Sequence, residues 1–170
     1  ESFNQPLNNW DVSNVTNMQG MFSDASSFNQ PLSNWNVSKV TDMEKMFDGA
    51  KSFNQSINNW YISNVKYMNR MFYNAISFNK PINDWDVSNV EYMSSMFYEA
   101  KSFNQPLSNW NLSNVIDMED MFEGAELFDQ DLSSWKVLRI LKYISTKIKE
   151  FELDKDCLLY TSDAADDWFC

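Results

Sequence analysis

The stretch Phe28-Asn29-Gln30-Pro31-Leu32-Ser33-Asn34-Trp35-Asn36-Val37-Ser38-Lys39-Val40-Thr41-Asp42-Met43-Glu44-Lys45-Met46-Phe47-Asp48-Gly49-Ala50 is one copy of a unit that returns every 25 residues. Its Phe recurs at Phe3, Phe53, Phe78, Phe103 and Phe128, and its Trp at Trp10, Trp60, Trp85, Trp110 and Trp135, without insertions. A fixed period of roughly 20–50 residues marks a stacked-repeat protein. One unit cannot bury its own apolar face, so neighbouring units bury it for each other.

Each unit reads in two halves. Trp35 and Val37 alternate with polar neighbours after Leu32, as a short strand with one buried face requires. Val40, Met43, Phe47 and Ala50 then follow at spacings of three and four, one stripe of a short helix that Ser38 or Thr41 would cap. The expected fold class is therefore α/β, with one short strand and one short helix per coil. Pro6, Pro31, Pro81 and Pro106 suit a corner before the strand, because proline fixes φ and lacks a donor. Asn4, Asn29, Asn54, Asn79 and Asn104 are expected to stack as a ladder whose amides serve loop backbone groups. Ten methionines fill two columns, Met18 to Met118 and Met21 to Met121. Thioethers can hold Cu(I), but the spacing beside Phe favours core packing.

The phrase Phe-Asn-Gln-Pro-Leu-x-x-Trp-x-Val-Ser-x-Val-x-x-Met-x-x-Met-Phe resembles the 25-residue repeat of BspA-like surface proteins and of many mycoplasma lipoproteins. The resemblance covers residues 1–135. It implies a leucine-rich-repeat-like solenoid, with a β-solenoid as the alternative. It also implies a cell-surface or secreted setting and a role in adhesion or host-protein binding. It transfers no functional residues, because the family has no established set.

Composition narrows the function further. The chain of 170 residues is 44% hydrophobic and contains no histidine, which removes the commonest acid–base group. No nucleophile–base pair, phosphate loop or metal cluster is visible, so neither an enzyme nor a cofactor is expected. A net charge of −11 argues against a nucleic-acid partner and suits a protein with a basic patch. No apolar run is long enough for a membrane span. Gly is scarce, with 3 residues, so Asn and Asp are expected to supply most turns.

Three segments follow from these readings. Residues 1–135 form six coils, and the opening Glu1-Ser2-Phe3 falls inside a repeat, so upstream coils are expected. In residues 136–156, Val137, Leu141, Ile144, Ile148 and Phe151 fit an amphipathic capping helix or a decayed repeat, and a reading-frame error would also explain the change. Residues 157–170, with both cysteines (Cys157 and Cys170), resemble a translated sequencing adapter and are set apart from the fold. A native acidic tail is the alternative.

Binding is expected at columns that vary between coils. Tyr61, Tyr67, Tyr73, Tyr92 and Tyr98 all lie in the third and fourth coils, where other coils carry polar residues. Tyrosine makes good interface surface, being large with a polar tip. Stacking of Tyr67 on Tyr92 and of Tyr73 on Tyr98 is the purely structural alternative. The outward strand columns add Asp84, Asp86, Asn109 and Asn111. Paired carboxylates can serve glycosidase chemistry, but no supporting constellation accompanies these, and a solvated acidic face is the simpler reading. Together these features predict a noncatalytic protein-binding module, with a carbohydrate-binding surface or a structural spacer as alternatives.

Overall fold

The computed structural model describes residues 2–135. The capping helix or decayed repeat expected at 136–156 and the adapter-like tail at 157–170 lie outside the described residues.

Each coil is a chain of turns. In the second coil, backbone N–H groups three residues on donate to the carbonyls of Leu32, Val37, Met43, Lys45, Phe47 and Ala50. Each bond closes a β-turn. The expected α/β architecture is therefore incorrect: among the described residues there is no helix and no extended strand. The leucine-rich-repeat-like solenoid loses its helical half. The β-solenoid alternative loses its strands, which are reduced to isolated parallel bridges joining Asn17, Asp42, Tyr67, Tyr92 and Asp117 in succession.

The reason lies in the backbone at two columns. Gly20, Lys45, Arg70, Ser95 and Asp120 all have φ between +51° and +64°. Asp24, Gly49, Asn74, Glu99 and Gly124 repeat this four residues later, at +53° to +71°. A right-handed helix cannot pass through left-handed residues. All three glycines of the chain stand in these two columns. The left-handed residues turn alternate N–H groups out of the coil. Met43, Lys45, Phe47 and Gly49 donate to Tyr67, Asn69, Met71 and Tyr73 of the next coil, while Met46, Asp48 and Ala50 bond locally. The spacing of three that reads as helical is the spacing of turn corners, and those corners carry the inward residues.

Stacking in this 25-residue register lines up identical side chains. Phe28, Phe53, Phe78 and Phe103 form a column with ring centroids 5.9–6.1 Å apart. A second column, Phe22, Phe47, Phe72, Phe97 and Phe122, runs beside it at 5.4–5.6 Å. The two columns meet within each coil at 4.0–4.2 Å. The Met columns pack into the same core, with Met43, Met46, Met68, Met71, Met93 and Met96 wholly buried. The buried indoles also tie one coil to the next. Trp60 Nε1 donates to the Leu32 carbonyl of the preceding coil at 3.1 Å, and Trp35, Trp85 and Trp110 repeat the bond.

One further device holds the register, and another fixes the turns within each coil. The expected Asn ladder is present: Asn4, Asn29, Asn54 and Asn79 each accept the backbone N–H of the Asn one coil on, at 2.9–3.0 Å. Asp11, Asn36, Asp86 and Asn111 each accept the N–H of the serine two residues later, closing an Asx turn. This hydrogen bonding with Ser13 holds the Asp11 carboxyl below its ordinary pKa, as bonding with Ser133 does for Asp131. The first coil shows what a neighbour contributes: Trp10 is 56% exposed, whereas Trp35 and Trp60 are 3% exposed.

Candidate functional site

Four of the five tyrosines come together as two stacked pairs. Tyr67 lies on Tyr92 with centroids 5.4 Å apart, and Tyr73 on Tyr98 at 4.7 Å, with planes within 13° and 4° of parallel. Both stacks run between the third and fourth coils. In one column the pair sits between Asp42 and Asp117; in the other it sits between Asp48 and Glu123. Tyr61, 65% exposed, stands in a different column, and among the described residues no ring stacks on it.

Stacking does not fully account for these rings. Asn17, Asp42 and Asp117 each accept the N–H two residues on, an Asx turn that tightens the backbone at this corner. Tyr67 and Tyr92 occupy the same column and cannot make that bond. Tyr61 likewise stands where Asp11, Asn36, Asp86 and Asn111 close Asx turns. Three tyrosines thus displace residues with a structural role, and Tyr61 and Tyr67 leave large rings in solvent.

Arg70, which carries no functional signal in the sequence, joins the Tyr73–Tyr98 stack. Its guanidinium carbon stands 3.9 Å from the centroid of the Tyr73 ring, a cation–π contact. Its Nε and NH2 both reach Asp48 Oδ2 at 3.0 Å. Burial raises the Asp48 carboxyl above its ordinary pKa, and the Arg70 charge partly offsets the rise. The Glu123 charge is the main cause of a raised pKa at the Tyr98 phenol, with Tyr73, burial, Glu99 and Asp120 adding to it. Lys66 and Glu91, just before Tyr67 and Tyr92, pair across the coils at 3.2 Å.

The polar candidates are engaged in structure. Asp84 and Asp86 both point outward around the buried Trp85, though from turns rather than a strand. Asp84 accepts the Asn58 amide at 2.7 Å, and Asp86 closes its Asx turn with Ser88. Asn109 donates its backbone N–H to Asn83 Oδ1, and Asn111 holds Ser113. Asn109 and Asn111 share an open recess of about 370 Å³ with Ser108, Trp110, Ser113 and Ser134. Among the described residues no cluster of acidic or cysteine side chains is placed to hold a metal ion. Among the same residues no helix is long and apolar enough to cross a membrane.

Fold and surface together define a repeat protein whose coils share one core and differ in a few outward columns. The chain belongs to the DUF285 family, described as a Mycoplasma protein of unknown function, whose family model matches residues 1–75 and again 57–154. No curated protein and no solved structure matches the chain. The match supports a mycoplasma-type repeat family; the narrower likeness to BspA rests on the repeat's residues alone.

Proposed function

We propose that this chain is a noncatalytic protein-binding module of a surface or secreted protein, of the adhesion or host-interaction type. The observation that carries the proposal is the set of five tyrosines on two adjacent coils, none of them buried and three of them replacing Asx-turn residues. Tyr61 gives up the turn bond with no ring stacked on it among the described residues, which points to a use outside the coil, and aromatic residues with polar tips are the residues that anchor protein interfaces. The stacked, hydrogen-bonded coils supply a rigid mount, which lowers the entropy lost on docking. The surface setting rests on the likeness of the repeat to that of BspA-like surface proteins.

The test is capture of extracellular-matrix and host-membrane proteins on the immobilised full chain. It is repeated with Tyr61 and Tyr67 changed to Ser, and with Asp84 and Asp86 changed to Asn, each variant checked for an unchanged melting temperature. A partner lost only with the tyrosines supports the proposal. Absence of any partner, or binding indifferent to the tyrosines, overturns it in favour of a spacer or of a site elsewhere.

A further inference from the structure

Resting on that reading, we propose that the tyrosine-bearing coils take an arginine side chain from a basic segment of the partner, held between Tyr98 and Glu123. The chain carries a filled version of this site one step away. Between the second and third coils, the column residues are Asp48 and Tyr73, and Arg70 lies between them. Between the fourth and fifth coils, the same column places Tyr98 and Glu123, an aromatic face and a carboxylate in reversed order. The backbone position equivalent to Arg70 is Asp120, with nearly the same φ, 53° against 56°. An arginine is replaced by an acid, so an acidic site with one ring face stands where its counterpart holds a guanidinium. Glu123 is the main cause of the raised pKa of the Tyr98 phenol, with Asp120 a smaller one, in keeping with carboxylates near that side chain.

The chemistry of the filled site commits the occupant to arginine. A planar guanidinium can lie on a ring and bond a carboxylate at once, as Arg70 does, whereas an ammonium is a compact, strongly hydrated point charge. Glu123 and Asp120 are both exposed, so the site is open from solvent. The nearby Lys101 is held by Glu126 at 2.7 Å and Glu99 at 3.5 Å.

The experiment titrates the full chain with a fluorescein-labelled hexa-arginine peptide at near-physiological ionic strength, read by anisotropy. Asp120→Arg places the chain's own guanidinium in the site, and Asp11→Arg makes the same change of charge on a distant column. The proposal expects Asp120→Arg to weaken binding by about fivefold or more beyond Asp11→Arg, the factor that corresponds to roughly 1 kcal/mol of cation–π attraction. Tyr98→Leu should weaken binding, while Tyr98→Phe, which keeps the ring, should bind as the wild type does. Equal losses from the two added arginines, or equal behaviour of Tyr98→Leu and Tyr98→Phe, would show diffuse attraction to an acidic surface and overturn the site. No peptide binding, alongside partner capture that still depends on the tyrosines, overturns the arginine and leaves the binding module standing. Loss of tyrosine-dependent capture itself removes the reading on which the inference rests.

Discussion

Two substitutions at left-handed positions should change stability with signs opposite to those of a helix. Ser95 has φ +51° and donates its N–H to the Glu119 carbonyl of the next coil at 2.7 Å. Holding an L-residue in this region costs roughly 1–2 kcal/mol, which glycine escapes. Glycine in turn adds freedom to the unfolded chain, worth about 0.4–1 kcal/mol against folding. Ser95→Gly should therefore stabilise by about 0.5–1 kcal/mol on the balance of these two effects. Gly49 supplies the reverse test: at φ +69°, a Cβ would also stand 2.5 Å from Asp24 Oδ1. Gly49→Ala should thus destabilise by about 0.5–1 kcal/mol on the same balance, and by more if the Asp24 side chain cannot move aside. In a helix, Ser95→Gly would lose about 0.5 kcal/mol and Gly49→Ala would gain about 1 kcal/mol. Urea unfolding midpoints at constant slope measure both. A destabilised Ser95→Gly together with a stabilised Gly49→Ala would refute the turn-built coil.

Other outcomes follow from the core and its charges. Phe72→Ala removes a wholly buried ring that stacks on Phe47, Phe78, Phe97 and Trp85; a loss of about 3–5 kcal/mol is expected in urea unfolding. Trp60→Phe leaves the Leu32 carbonyl without its indole donor and should cost about 1–3 kcal/mol, visible as a lower melting temperature. Arg70→Ala removes the charge that offsets burial at Asp48, so the carboxyl pKa rises further above 3.8. A folded pKa above the unfolded one gives stability that is full below the unfolded value and lost as pH rises through the folded value. The melting temperature of Arg70→Ala should therefore fall more steeply than that of the wild type as pH rises from about 4. A second change, Asp48→Asn, should remove the difference.

The period, the core columns and the Asn ladder were legible because they depend only on which residue returns every 25 positions. The coil's internal structure was not, because chained β-turns and a helix place apolar residues at the same spacing of three. A signal was present: Gly20 in one column, and Asp24, Gly49, Asn74 and Gly124 in another four residues on, are residues that favour left-handed backbone. The Lys, Arg, Ser and Glu that share those columns masked it. The Asx-x-Ser turns could also be read, but the Trp60–Leu32 bond could not, since its 28-residue span exists only once the coils are stacked. Arg70 was missed for the same reason: Asp48 lies 22 residues earlier and meets it only across coils. The stacked tyrosine pairs were readable from the period, whereas the turns that Tyr61, Tyr67 and Tyr92 displace were visible only in the backbone.

The central claim is that alternate amides in the second half of each coil bond to the neighbouring coil, where a helix would bond them within its own coil. A scalar coupling across the hydrogen bond of the Met43 amide, measured by NMR on the isotope-labelled chain, tests it directly. The Met43 N–H lies 2.9 Å from the Tyr67 carbonyl, so the coupling should connect the Met43 nitrogen to the Tyr67 carbonyl carbon, with Lys45 to Asn69 and Phe47 to Met71 repeating it. A coupling from Met43 to the carbonyl of Lys39, four residues back, would mean a helix and would contradict the account.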